Sequence, residues 1–298
     1  MCLEREQHRF FVSNNRVKLH YIIWKGLGDA APVVCVHGLT SNCRYFCALA
    51  EELTRERDVY SYDLRGRGYS DKPECSYGIA CHAADLNSFL TWLNLPAVHL
   101  LGHSFGAAII VYYLTHYPAK PVEKVILVEG GTDYPPNFKE QIQPSLDRLG
   151  VCYLSMDHFW ETMKKVPYYY PWSDYYERYL IHDIEIKPNG WVTPRTPQVA
   201  VLEDLASIAN LKLEDLLPKV KKETMVLRAT RGFRHPRDHI LNAEMAKQML
   251  KKLPRGLLVD VPHTHHISIV LGKAVYSAQF IKKFLNNVTI HRGSMVVS

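Results

Sequence analysis

The stretch "LLGHSFGAA" (Leu100–Ala108) places Gly102 and Gly106 two residues either side of Ser104. The run before it, "AVHLL", is apolar and β-leaning. The run after it, "AAIIVYYLTHYP", reads as a buried helix closed at Pro118. A serine at such a strand-to-helix joint either serves tight packing or is a nucleophile held out on a turn. "GHSFG" fits the second case: a nucleophile on this turn takes strained backbone angles, so its neighbours two positions away must be small for helix and strand to approach.

Working outward, the same alternation of strand and helix continues. "FFVSNNRVKLHYIIWKG" reads as a β-hairpin about Asn14–Asn15. "PVVCVHG" is a continuous apolar run of the kind buried on both faces of a parallel sheet, and "DVYSYDL", "VEKVILVEGG", "ETMVLRA" and "GLLVDVP" read as further strands. Helical spacing separates them, in "RYFCALAEELTRE", "CHAADLNSFLTWLNL", "HILNAEMAKQMLKKL" and "AVYSAQFIKKFL". This order demands a mostly parallel sheet covered on both faces, an α/β fold. The pattern breaks between about Thr132 and Pro218, where "VPYYYPWSDYYERYL" typifies a Tyr- and Trp-rich segment expected to fold as helices with no strong strand pair. The simplest account is a helical cap inserted over the strand ends, with 1–131 and 219–298 as the core and 132–218 as the cap.

Bulk properties narrow the function. The 298 residues, 47% hydrophobic, suffice for a large core. No run reaches about eighteen apolar residues, so no membrane span is expected. The N-terminal "MCLEREQHRFF" lacks an apolar signal core, and seven cysteines form no C-x-x-C pair. Both features predict a cytoplasmic protein with reduced thiols. Thirty-six Lys and Arg against thirty Asp and Glu give a net charge of +6, scattered along the chain, and no nucleic-acid partner is expected.

A serine hydroxyl needs a base, a group that orients the base, and an anion hole. After an earlier strand, "VHGLTSN" (Val36–Asn42) would turn so that the Leu39 N–H joins that of Phe105 around a developing oxyanion. The late "DVPHTHHISIVLG" offers His263, His265 and His266 as the base. These histidines lack a further Asp or His at ligand spacing, so no metal is expected, and the chemistry needs no cofactor.

In "VHG", "YDLRGRGYSDKP" (Tyr62–Pro73), "LLGHSFGA", "VILVEGG" and "VPHTHHISIV", from about Val33 to Phe284, the chain resembles the α/β-hydrolase superfamily. The resemblance implies an eight-stranded, mostly parallel sheet flanked by helices, a cap after strand six, and Ser104 as nucleophile. It implies structural roles for Asp63, Arg65 and Gly66, and it selects His266 as base, with His265 the alternative. Two carboxylates compete for the acid. Most relatives carry it just beyond strand seven, where Asp238 arrives several residues late. Some, such as haloalkane dehalogenases, use the end of strand six, where Glu129 stands, and Glu129 is the expected acid with Asp238 the alternative. The expected activity is hydrolysis of a small or medium, apolar or aromatic carboxylic ester through an acyl-enzyme. A C–C bond (β-diketone-type) or lactone hydrolase at the same triad is the alternative. A receptor-like member with little turnover is the alternative of another class.

Overall fold

The computed structural model describes residues 6–119, 121–209, 211–288 and 295–297. In chain order, β1 (Glu6–Val12) and β2 (Lys18–Trp24) form the N-terminal hairpin. β3 (Ala30–Val36), β4 (Arg57–Tyr62), β5 (Val98–His103) and β6 (Val122–Val128) follow. After the inserted segment, with its small hairpin β7 (Ile184–Ile186) and β8 (Val192–Pro194), come β9 (Glu223–Ala229), β10 (Gly256–Val261) and β11 (Met295–Val297). Nine of these strands make one sheet, in the order β1-β2-β4-β3-β5-β6-β9-β10-β11. The stretch from β4 to β10 is parallel, as the alternation of strand and helix requires. The expected eight strands are present, and β11 adds a short antiparallel ninth against β10.

The continuous apolar runs have a direct physical cause. Side chains alternate across a strand, and both faces of this sheet are covered. Val34 and Val36 of β3 with Leu100 of β5 enter one buried cluster, while Val33, Cys35 and Leu101 enter the other. Helices α1 (Cys47–Leu53), α2 (Ile79–Leu93), α3 (Phe105–His116), α8 (Ala243–Lys252) and α9 (Ala274–Leu285) supply the covering layers. Truncating one of these fully buried leucines to Ala would cost about 2–5 kcal/mol.

Between β6 and β9 the chain forms α4 (Phe138–Leu149), α5 (Met156–Lys164), α6 (Asp174–His182) and α7 (Gln198–Ala209). The β7–β8 hairpin departs from the expectation of no strand pair in this segment; its three-residue strands are too short to show a period. No helix among the described residues is long and apolar enough to cross a membrane.

The chain reverses direction across the sheet at β3, which pairs with β4 on one side and β5 on the other. In open α/β sheets this switch point opens a crevice at the carboxyl ends of the strands. The loop carrying Leu39 leaves β3 there, and Ser104 leaves β5 beside it.

Candidate active site

Ser104 caps α3 with φ 54° and ψ −117°, a strained conformation for a residue with a Cβ. The surrounding packing holds it there. Its N–H donates to the Val128 carbonyl at 2.9 Å, and its own carbonyl accepts from Ala107 at 3.0 Å. The two bracketing glycines are steric requirements: a Cβ on Gly102 would lie 2.6 Å from the Ala107 nitrogen, and one on Gly106 would run into the Val36 carbonyl oxygen. Helix and strand therefore meet backbone to backbone on either side of the serine, which is 6% exposed.

Glu129 directly follows β6, the neighbour of β5, and also has positive φ, 53°. Its Oε1 accepts the Ala229 N–H at 2.7 Å, while Oε2 lies 3.2 Å from His266 Nδ1. Burial pushes the Glu129 carboxyl up to about 8, against the opposing pull of the Ala229 N–H. Burial likewise pushes the His266 imidazole down to about 3. Both groups are thus driven toward neutrality by desolvation. With Nδ1 directed at Glu129, Nε2 is left as the imidazole's other site, and His266 lines one cleft together with Ser104.

Asp238 makes no hydrogen bond to His266 among the described residues, although its charge opposes the effect of burial on that imidazole. Its carboxylate pairs with Arg234 Nε at 3.1 Å in the loop after β9, and its backbone carbonyl accepts from Phe233. His265 turns its Nδ1 back to the amides of Ile267 and Ser268 at 3.3 and 3.4 Å, capping its own turn. His263 lies on the exposed side of that turn, its carbonyl accepting from Lys273.

The loop that holds Leu39 is braced from beneath. His37 Nδ1 donates to the Gly38 carbonyl at 2.8 Å and Nε2 accepts the Leu64 N–H at 3.0 Å, which sets a neutral tautomer. Burial pushes this imidazole down to about 3, in keeping with that state. Arg67 then grips the Leu39 carbonyl with Nε and Nη2, at 3.1 and 3.0 Å, and is itself paired with Asp204 of α7. Among the described residues, neither the Leu39 nor the Phe105 N–H has a protein acceptor.

Sequence reasoning missed several groups. His103 Nε2 donates to the His266 carbonyl at 2.9 Å, and Tyr45 Oη donates to the Ile267 carbonyl at 3.1 Å. Together they fix the backbone that carries the imidazole. His103 was visible as the residue beside Ser104, but no local pattern announces its partner 163 positions away. Asp63 contacts His20 and His182, Arg65 forms a bidentate pair with Asp85, and Gly66 has φ 78°. The cleft itself is small, about 60 Å³, and Phe138 and Tyr179, from the segment between β6 and β9, are among the residues that line it.

Residues 31–149 match the family model described as alpha/beta hydrolase fold. N-formylmaleamate deformylase of Pseudomonas putida is 36% identical over 119 residues, 40% of this chain and 43% of the relative. The matched part spans less than half the length of the curated relatives. Among solved structures, E-2-(acetamidomethylene)succinate hydrolase superposes with a TM-score of 0.81 at 20% identity, covering 94% of this chain and 99% of that one. The enol-lactonase of Burkholderia xenovorans superposes at 0.70 with 20% identity, covering 93% and 100%. At such identities these structural likenesses concern the fold.

Proposed function

We propose that this chain, which has the α/β-hydrolase fold, is a serine hydrolase that cleaves a small carboxylic ester or lactone. One observation carries the reading: Ser104, on a positive-φ turn at the end of β5, shares a cleft with an imidazole whose Nδ1 faces a buried carboxylate.

The chemistry follows from the geometry. His266 Nε2 takes the Ser104 hydroxyl proton as Oγ attacks the carbonyl carbon, while Nδ1–H donates to Glu129 and keeps the ring oriented. The carbonyl oxygen gains a negative charge against the Leu39 and Phe105 amides; losing one such donor typically costs about 100–1000-fold in rate. The imidazolium then protonates the departing alkoxide, leaving an acyl group on Ser104. Water attacks that acyl group, His266 accepts its proton, and the acid leaves with the serine restored. Within this reading residues 132–218 act as a cap, because α4 and α6 contribute Phe138 and Tyr179 to the cleft.

The cleft's chemistry favours a neutral, apolar acyl group. Leu39, Phe138, Ile142, Tyr179 and Phe233 line it, and among the described residues no Lys or Arg does. The names of the deformylase and of the succinate hydrolase contain maleamate and succinate, both carboxylate-bearing, and this wall offers such an anion no cation. The volume of about 60 Å³ admits a short acyl chain or a small lactone ring.

A fluorophosphonate probe tests the reading on the whole protein. The expected result is a stoichiometric adduct on Ser104, absent from Ser104→Ala, with hydrolysis of p-nitrophenyl acetate lost in the same variant. An unlabelled Ser104 in folded protein would overturn it. Tight ligand-linked stabilisation without turnover would favour the receptor-like alternative.

A further inference from the structure

Away from Ser104, four side chains of metal-binding type converge in the interior. His20 comes from β2, Cys43 from the turn of 3-10 helix 43–46, Asp63 from the residue after β4, and His182 from the end of α6. All four are essentially buried, at 2% exposure or less, and one donor atom of each lies within 4.8 Å of every other. Asp63 Oδ2 is 2.8 Å from both His20 Nδ1 and His182 Nε2, and Cys43 Sγ is 3.5 Å from His182 Nε2 and 3.8 Å from His20 Nδ1.

The geometry points to a closed, four-coordinate site for a zinc-type divalent cation, with His20 Nδ1, Cys43 Sγ, Asp63 Oδ2 and His182 Nε2 as its ligands. The donor set, two imidazoles, one thiolate and one carboxylate, is of the kind zinc takes in tetrahedral sites. Around a tetrahedral zinc, sulfur-to-nitrogen edges measure about 3.6 Å and oxygen-to-nitrogen edges about 3.3 Å. The two sulfur edges already have that length, and the two carboxylate edges need to open by about half an ångström.

Two further observations support the assignment. The first is charge: a divalent cation with one thiolate and one carboxylate is neutral overall, which suits a place where isolated charge is costly. The second is the outer shell. His20 Nε2 lies 2.9 Å from His8 Nδ1, and His8 Nε2 lies 2.7 Å from Glu6 Oε1. With the metal on His20 Nδ1, the remaining N–H donates to His8 and the His8 N–H donates to Glu6, a relay of the type that orients metal-bound histidines. On binding, Cys43 Sγ–H releases its proton to solvent, and the His20 proton sits on Nε2.

A metal here would join the sheet to the inserted segment, since three ligands come from the core and His182 from α6. It would also act near the cleft: Asn42 Nδ2, one residue before Cys43, donates to the Tyr179 carbonyl at 3.1 Å. The sequence reading expected no metal; successive ligands here lie 23, 20 and 119 residues apart in the chain and share no local spacing.

Cobalt(II) titration of chelator-treated full-length protein tests the proposal independently of any hydrolytic activity. The expected result is one-to-one binding with a thiolate-to-cobalt charge-transfer band, and a rise in Tm when zinc replaces cobalt. The band should vanish in Cys43→Ser. Binding should weaken by about 10–100-fold in His8→Phe, which leaves all four ligands in place. His182→Asn should likewise abolish the zinc-dependent rise in Tm, should Cys43→Ser fold poorly. No thiolate band in the unmodified protein would overturn the proposal, as would a band of undiminished intensity in Cys43→Ser.

Discussion

Glu129 Oε2 lies 3.2 Å from His266 Nδ1, although 137 residues separate the two in the chain. The other oxygen of this carboxylate is tied to the Ala229 N–H, so the side chain cannot swing away without stranding a buried amide. Glu129→Gln keeps the shape but lets the amide donate toward Nδ1, which favours the wrong tautomer. Turnover should drop by about 10⁴-fold, as removal of a triad acid does elsewhere. Asp238→Asn, which only loosens an exposed pair with Arg234, should change it by less than about threefold. Steady-state kinetics on p-nitrophenyl acetate checks both, and the reverse ranking would move the acid to Asp238.

The same pair sets the pH profile. In the proposed mechanism the competent state has an ionised Glu129 and a neutral His266; one proton added anywhere on the pair removes it. Burial pushes the Glu129 carboxyl up to about 8, far from the usual carboxylate value of about 4.3. Activity should therefore be lost as pH falls, along a single-proton limb close to or slightly above neutrality. In Glu129→Gln the remaining group is an imidazole that burial pushes down, so the residual activity should persist to lower pH. A pH–kcat/KM series on both proteins measures the limb. An unshifted limb in the variant would mean that the proton belongs to another group.

What could be read from the chain and what could not divide along one physical line. The tight turn at Ser104 with its two glycines is legible because it depends on neighbours within a few residues, through turn sterics and strand ends. The preference for Glu129 over Asp238 rests on resemblance alone, because the two carboxylates follow adjacent parallel strands, β6 and β9, and local spacing does not rank them. Arg67 and Asp204, 137 positions apart, or the His20–Cys43–Asp63–His182 cluster, are invisible to spacing because their meeting is a product of tertiary folding. The β7–β8 hairpin, by contrast, escapes for want of length.

Arg67 offers a test of how the loop of the proposed oxyanion hole is held. Burial alone would raise the Asp204 carboxyl, but His82 and Arg67 hold it well below the usual range. A depressed folded value gives stability above the unfolded pKa that is lost as pH falls through the folded one. Asp204→Asn should thus cost about 3–5 kcal/mol at neutral pH and lose less on acidification than the parent. Arg67→Lys keeps the charge and loses the fork on the Leu39 carbonyl. Its kcat, measured well below its Tm, should fall by about tenfold or more with KM little changed. A variant that loses only Tm would assign Arg67 to structure alone.

Phe138 stands between two spaces. It lines the cleft of about 60 Å³ that holds Ser104, and also a neighbouring cleft of about 810 Å³ between residues 133–139 and α7. Its ring stacks on Tyr134 at 4.1 Å between centroids and is largely buried. Phe138→Ala would open the small cleft into the large one, at a stability cost of about 3–5 kcal/mol from the lost packing. Ester series from acetate to octanoate should then show the preference in kcat/KM moving toward the long chains by about tenfold or more, since each methylene seated in an apolar pocket contributes about 1–3 kcal/mol. Phe138→Leu, which retains most of the volume, should keep the short-chain preference and most of the stability. An unchanged acetate-to-octanoate ratio in Phe138→Ala would mean that the acyl chain leaves the cleft by another wall.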